Sequence, residues 1–313
     1  MYLVTGGAGF IGSHIADALV KQGKKVRVLD NFSTGKIENL KGILNKISLI
    51  RGDIKDKRTV KKSIKGVKYV LHQAALHSVP KSFDDPESFN AVNITGTLNL
   101  LLAAREAGVQ RFVFASSGSV YGEPKRFPEQ ESFIPHPISP YAATKLMGEV
   151  YCRLFWEYYK LPTISLRYFN VFGPRQSMEN KYAVVVPKFI ISLLTNQSPP
   201  IYGDGKQSRD FTYINNVVQA NMLSLKAKPA SFGKVFNIAC GRSYTILELL
   251  GLLNKLTGKN IDPIFNMPRQ GDIRYTLADI SRVRKYLNYK PNVAFKDGLK
   301  YSIEYFRGNV RSH

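Results

Sequence analysis

The chain has 313 residues, 44% of them hydrophobic, enough to bury a full core as one large α/β unit or a large domain carrying a smaller one. No run approaches about 18 uncharged apolar residues, so a membrane-spanning helix is excluded. Two cysteines, Cys152 and Cys240, lack the spacing of a disulfide scaffold or a zinc site and suit a reducing compartment. Lysine and arginine number 45 against 23 acidic residues, a formal charge of +22 that favours anionic partners.

The chain opens on Tyr2–Thr5, an apolar run that reads as a first strand rather than a secretory leader. Further strands are expected at Val26–Asp30, Ile47–Arg51, Tyr69–His72, Arg111–Ala115 and Thr163–Arg167. Helices fit between them, with apolar residues such as Ile15, Ala18 and Leu19 at helical spacing. Such alternation predicts a doubly wound parallel (Rossmann) sheet with right-handed crossovers. The basic run Lys55, Lys57, Arg58, Lys61, Lys62, Lys65 and Lys68 falls on a surface helix and its exit. It has no interleaved aromatics and reads as a solvated face, not a nucleic-acid site.

Beyond Phe172 the pattern loosens, with Gly173-Pro174, Pro199-Pro200 and Gly203-Asp204-Gly205 as punctuation. Helices remain readable at Val184–Thr195, Ile214–Leu225, Thr245–Leu256 and Phe295–Phe306. The expectation is a Rossmann domain over residues 1–172 and a smaller α/β substrate domain over 173–313. Residues 211–240 are expected to rejoin the first domain, because Lys234–Ile238 looks like a strand of the main sheet.

Gly6, Gly9 and Gly12 follow the first strand and open a helix, the context a dinucleotide-binding turn requires. Gly6 permits the tight turn, Gly9 lets the backbone approach a pyrophosphate, and Gly12 lets the helix pack closely. The helix N-terminus, with Phe10 and Ile11 in its first turn, then faces the phosphates. Asp30 ends the second strand, where a carboxylate receives the adenosine ribose and repels a 2′-phosphate. Asn31 follows it, with no arginine, so NAD is expected over NADP. Asp53 and Ile54, after the third strand, border the adenine in this reading.

Tyr141 and Lys145 form a Tyr-x-x-x-Lys. The same spacing recurs at Tyr121/Lys125, Tyr202/Lys206 and Tyr286/Lys290, but glycine or proline interrupts each of those. Ser139 and Pro140 instead look like an N-cap and first-turn proline of a helix running through Lys160. Only Tyr141 and Lys145 should therefore share a helix face one turn apart. A phenol titrates near 10 in water, about three units too high for a base at neutral pH. An adjacent ammonium and a positive nicotinamide would lower it. Ser116 and Ser117 leave the fifth strand at its carboxyl end, where doubly wound sheets bind ligands. A hydroxyl there could bridge substrate and Tyr141. The five histidines, His77 among them, show no metal spacing, and no metal is expected.

These residues resemble the extended short-chain dehydrogenase/reductase family over nearly the whole chain. The resemblance rests on Gly6–Gly12, His72–Ala75, Asn90–Asn93, Ser116–Gly122, Tyr141–Lys145, Arg167–Asn170, Ser208–Phe211 and Arg269–Asp272. It is strongest to UDP-hexose 4-epimerases, particularly those acting on UDP-N-acetylglucosamine. It implies NAD-dependent 4-epimerisation through a transient 4-keto sugar, with Ser117, Tyr141 and Lys145 catalytic. It places Gln73, Ala74, Ala75, Asn93, Ser116 and Tyr168 at the cofactor, with Tyr141 and Lys145. It places Asn170 on the substrate with Ser117 and Tyr141, and Arg209, Arg269 and Asp272 on the UDP portion. Thr276 stands at the position resembling a sugar-pocket gate, where a bulky aromatic would crowd an N-acetyl group. This predicts UDP-GlcNAc/UDP-GalNAc, with UDP-glucose/UDP-galactose tolerated. Dehydratases and UDP-glucuronate decarboxylases of the family carry acids just after the catalytic hydroxyl; this chain has Gly118 and Ser119. A UDP-glucuronate epimerase or decarboxylase is the nearest alternative, and a non-catalytic nucleotide-sensing or RNA-binding relative the second. A cytoplasmic homodimer is expected, pairing Leu98, Leu100, Leu101 and Leu102 with Tyr151, Leu154, Phe155 and Tyr158 in a four-helix bundle.

Overall fold

A computed structural model describes residues 1–177, 185–268 and 273–310. Six strands appear in the first half: β1 (Tyr2–Thr5), β2 (Val26–Asp30), β3 (Ile47–Arg51), β4 (Tyr69–His72), β5 (Arg111–Ser117) and β6 (Thr163–Tyr168). The Lys234–Ile238 strand pairs with β6 and completes a seven-stranded sheet in the order Lys234–Ile238, β6, β5, β4, β1, β2, β3. Every pair in it is parallel. Its inner strands are buried on both faces, which is why they read as near-continuous apolar runs rather than alternating ones.

The expected strands are present, β5 and β6 each running further than their apolar stretches. Ser116 and Ser117 extend β5 because they pair in register with Arg167 and Tyr168. The helix Pro140–Tyr159 stops one residue early. Lys160 takes the left-handed conformation at its C-cap (φ 56°) ahead of Pro162. In the second half the four expected helices lie at Val185–Leu194, Ile214–Leu225, Ile246–Thr257 and Phe295–Val310, and a short helix not foreseen from the sequence lies at Ser281–Leu287. Thr245 caps the third of these in a reciprocal capping box with Glu248 rather than belonging to it. One apolar cluster joins Val113 and Leu166 of the sheet to Phe189, Leu249 and Leu299 of these later helices.

One feature corrects the sequence reading and another agrees with it. Leu100, Leu101 and Phe155 are 0%, 0% and 4% exposed inside the monomer, so they offer no surface to a second chain. Their helices, Thr97–Glu106 and Pro140–Tyr159, use those residues to pack beneath the sheet. Leu98, Leu102, Tyr151 and Leu154 stay half-buried, and Tyr158 is 76% exposed. The helix Lys57–Ile64 turns Val60 and Ile64 inward and leaves Lys57, Arg58, Lys61 and Lys62 in water. No helix among the described residues is long and apolar enough to cross a membrane.

Candidate active site

The glycine turn is held by contacts a side chain would break. Gly6 has φ +64°, and a Cβ there would lie 2.7 Å from the Ala74 backbone. At Gly12 a Cβ would come within 2.1 Å of the Gly6 carbonyl, so the helix start packs on the turn itself. Gly9 is the N-cap of the helix Phe10–Lys21 and supplies no capping side chain. Among the described residues no side chain caps the first-turn N–H groups, Phe10 and Ile11 among them, the condition a pyrophosphate needs. The site fits a dinucleotide.

Asp30 does more than the sequence suggested. Its carboxylate accepts the Ala8 N–H at 2.8 Å and the Phe32 N–H at 2.8 Å, bracing the glycine turn from the end of β2. Each oxygen keeps a lone pair for a ribose hydroxyl. Asn31 Nδ2 donates to Asp53 at 3.1 Å, tying the ends of β2 and β3 together at the expected adenine edge. Ile54 is 4% exposed and presses on Gly96, a packing contact beneath that edge.

The residues after β4 are ordered from below. Ala74 N–H donates to Thr5 Oγ1 at 3.3 Å. Gln73, Tyr168 and Asn221 close a ring. Asn221 Nδ2 donates to the Tyr168 hydroxyl (2.9 Å), the hydroxyl to Gln73 Oε1 (3.3 Å), and Gln73 Nε2 to Asn221 Oδ1 (3.4 Å). Tyr168 thus spends its hydroxyl inside the protein and has only its ring to offer a cofactor. Ala75 follows, half-buried. Asn93 sits in a π-helical turn, Ala91–Gly96, of the kind that often marks functional sites. Its side chain clasps the Leu76 backbone from both sides (2.8 and 3.0 Å) and donates to Thr144 (3.0 Å), so it holds the loop to the helix Pro140–Tyr159.

Ser139 caps the helix Pro140–Tyr159 by accepting the Ala142 N–H at 3.2 Å, and Pro140 fills its first turn. Tyr141 and Lys145 share one face of it, the Lys145 Nζ lying 5.9 Å from the Tyr141 ring centre. The ammonium donates to the Ala115 carbonyl of β5 at 2.8 Å rather than to the phenol. Desolvation therefore prevails over the expected ion effect: burial raises the Tyr141 pKa, opposed by Ser117, and brings Lys145 down to about 8, opposed by Glu149. A positive nicotinamide would be the remaining pull on the phenol.

Ser117 Oγ accepts from Ser119 Oγ (2.9 Å) and the Ser119 N–H (3.2 Å), so its own proton points outward. Ser116 is turned the other way. Its hydroxyl donates its proton to buried Glu149 and is spent as a donor inside the protein. Glu149 also receives a two-pronged contact from Arg167 of β6 at 2.8 and 2.7 Å. The roles of Thr144, Asn221 and Glu149 escaped the sequence reading, and Ser119 entered it only as a position where other branches carry an acid. Only Glu149 carried a signal, one helical turn beyond Lys145.

Of the residues expected at the sugar, Asn170 follows β6 with φ 35°, and its amide donates to Thr276 Oγ1 at 3.0 Å. Arg209 turns its guanidinium onto the carbonyls of Ser208 (3.0 Å) and Arg274 (3.3 Å). Arg269 and Asp272 lie outside the described residues. The pKa of His77 is lowered by desolvation first and then by Lys145 and Lys81. Among the other Tyr/Lys pairs, Tyr121 has its hydroxyl on Asn237 at 2.7 Å and its ring under Arg167, a structural role.

The profile of the NAD dependent epimerase/dehydratase family matches residues 2–239. The chain is 38% identical to a putative UDP-glucose 4-epimerase of Methanocaldococcus jannaschii over 314 aligned positions, covering 100% of both. Among solved structures it superposes with TM-score 0.94 on the UDP-N-acetylglucosamine 4-epimerase of Methanobrevibacter ruminantium M1 in complex with UDP-N-acetylmuramic acid, 42% identical and covering 98% of each chain. It superposes equally, TM-score 0.94, on the UDP-glucose 4-epimerase of Thermotoga maritima with UDP-glucose, at 40% identity and 99% coverage of each.

Proposed function

The chain belongs to the NAD dependent epimerase/dehydratase family, within the extended short-chain dehydrogenases/reductases, and from that premise we propose that it interconverts UDP-N-acetylglucosamine and UDP-N-acetylgalactosamine, turning over UDP-glucose and UDP-galactose as well. The observation that carries this reading is the Ser117 hydroxyl. With both lone pairs taken by Ser119, it presents a donor beside the Tyr141 phenol at the carboxyl edge of the sheet. Tyr141 takes the proton of the sugar C4 hydroxyl, and Ser117 hydrogen-bonds the same oxygen. When bound, NAD supplies a reversible hydride acceptor next to C4. Lys145, anchored on Ala115, places its charge below the phenol. The 4-keto sugar turns over in the pocket, so that C4 would regain its hydride on the opposite face while Tyr141 returns the proton to the oxygen.

Two features favour this over elimination or decarboxylation. Ser119 occupies its hydroxyl on Ser117, and a Cβ at Gly118 would lie 3.0–3.1 Å from the Phe169 ring. The acid other branches carry there has neither the residue nor the space. Thr276, in place of a large aromatic, leaves room for an acetamido group. Asp30, Gly9 and Gly12 hold NAD in this reading, Arg209, Arg269 and Asp272 the UDP portion. Residues 173–313, apart from the stretch returning to the sheet, form the substrate domain. The enzyme works as a cytoplasmic homodimer through Leu98, Leu102, Tyr151, Leu154 and Tyr158, the outward-facing part of the two helices.

The test is to denature purified protein, identify the nucleotide released, and follow UDP-GlcNAc and UDP-glucose side by side. NAD and interconversion of both sugar pairs, faster for the acetylated pair, are expected. Carbon dioxide or an unsaturated keto product defeats the assignment. Sedimentation at micromolar concentration showing only a 35.2 kDa species defeats the dimer.

A further inference from the structure

Because every pair in the seven-stranded sheet is parallel, the strands all start on one edge, opposite the carboxyl edge that carries Ser117. Basic residues stand at nearly every start. Lys24 and Lys25 precede β2, Lys46 precedes β3, Lys65 and Lys68 precede β4, and Lys160 precedes β6; all of these are exposed. β5 itself opens on Arg111 and the last strand on Lys234. The backbone laces the starts side by side. Tyr2 N–H donates to the Lys25 carbonyl at 2.9 Å, Lys68 N–H to that of Met1 at 2.9 Å, and Gln110 N–H to that of Lys68 at 2.8 Å. Seven strands at a spacing of about 4.8 Å make this edge roughly 29 Å long. Little opposes its charge. Of the carboxylates at the same end of the helices, Asp17 is paired with Lys21 at 2.9 Å and Glu157 with Arg153 at 2.8 Å, which leaves Glu106 among the described residues. Within that same set none of Lys24, Lys25, Lys46, Lys65 and Lys68 forms an ion pair. The negative ends of the helices account for Lys160 at a C-cap. That attraction fades within a turn, and Lys25 and Lys68 stand beyond it.

We propose that this amino edge docks the protein, reversibly and without insertion, on a membrane surface bearing anionic lipid headgroups. A broad field of lysines fits such a surface better than it fits a nucleic acid, because the arginines are already spent. Arg27 Nη1 donates to the Ser63 and Lys65 carbonyls at 2.7 and 2.8 Å. Arg111 donates to the Ala227 carbonyl at 3.0 Å and lies 3.9 Å from the Phe232 ring centre. Neither offers the open fork that grips a fixed phosphate. Tyr159, 51% exposed beside Lys160, has its ring face covered by Arg105 at 4.6 Å, so no base can stack there. Its amphipathic ring suits the headgroup layer instead. Lysines are point charges on flexible stems, able to follow headgroups that move laterally, and each contributes about 1 kcal/mol near an anionic leaflet. Ser117, Tyr141 and the glycine turn belong to the opposite edge, so a docked molecule keeps its cleft open to solvent.

The experiment sediments the purified chain with phosphatidylcholine vesicles, plain or carrying roughly 30% phosphatidylglycerol, at about 0.1 M and about 0.5 M salt. At the lower salt the protein should bind the anionic vesicles at least about 100-fold more tightly than the plain ones, and the higher salt should release it. Lys25→Gln/Lys65→Gln/Lys68→Gln should weaken that binding by about 100-fold while denaturing at the wild-type midpoint, and glutamate at the same positions should abolish it. Lys255→Gln/Lys259→Gln/Lys296→Gln, an equal change of charge in the second half of the chain, should bind as wild type. Failure to bind anionic vesicles at the lower salt overturns the proposal, and so does an equal loss in the two triple variants. A single-stranded RNA that binds more tightly than the vesicles, and is lost in the same edge variant, overturns it too by giving this edge to a nucleic acid.

Discussion

The two halves of the site are built on different principles. The cofactor side is local: Gly6, Gly9 and Gly12 sit in one turn, and Asp30 reaches Ala8 of that turn from the adjacent strand. Nearly all of it is backbone geometry, so residue type and spacing suffice to specify it. The sugar side is assembled from segments far apart in the chain. Asn170 meets Thr276 across 106 positions, and Asp210 accepts the N–H groups of Cys240 and Gly241 while also bonding Thr276. Local geometry shapes the turn that fits a dinucleotide; remote hydrogen bonds shape the side proposed to hold the sugar.

That division can be broken at its centre first. Tyr141→Phe removes the proposed base and should lower kcat by about 10³–10⁴ while the purified protein still carries NAD. Loss of NAD with the activity would mean the phenol belongs to the cofactor side alone. Gly12→Ala should abolish NAD retention, because its Cβ would sit 2.1 Å from the Gly6 carbonyl. Binding should weaken by at least about 100-fold in titration of the stripped protein, roughly 2.7 kcal/mol. Unaltered retention would dissociate the glycine turn from the nucleotide.

Glu149→Gln tests the seam between the halves. It leaves Arg167 buried (3% exposed) without its counter-charge, and the denaturation midpoint should fall by an amount equivalent to about 3–5 kcal/mol. It also has a kinetic signature. Glu149 supports the charge of Lys145, whose pKa burial brings to about 8, so wild-type kcat/KM should decline above about pH 8. Removing a neighbouring negative charge disfavours the ammonium, so this limb should move to lower pH in the variant. A stability loss with an unmoved limb would confine Glu149 to structure. The smallest effect is expected at the gate. Thr276→Tyr should cost the acetylated substrates about 1–3 kcal/mol relative to UDP-glucose, measured as the ratio of kcat/KM. An unchanged ratio would show that room at this position does not select the sugar.

Sequence patterning by itself determined the parallel sheet, the glycine turn, the Asp30 acid and the Ser139-capped helix with Tyr141 and Lys145 on one face. Each follows from periodicity, capping or steric freedom over a few residues, and such forces act within reach of the chain's own neighbours. Only tertiary structure decided that Ser116 turns to Glu149, that the Tyr168 hydroxyl is consumed by Asn221 and Gln73, and that Lys145 rests on Ala115. It likewise decided that Leu100, Leu101 and Phe155 face inward. The physical reason is that a polar group or an apolar face takes the best partner available in space. Partners brought together by folding carry no mark of their proximity in the order of the chain.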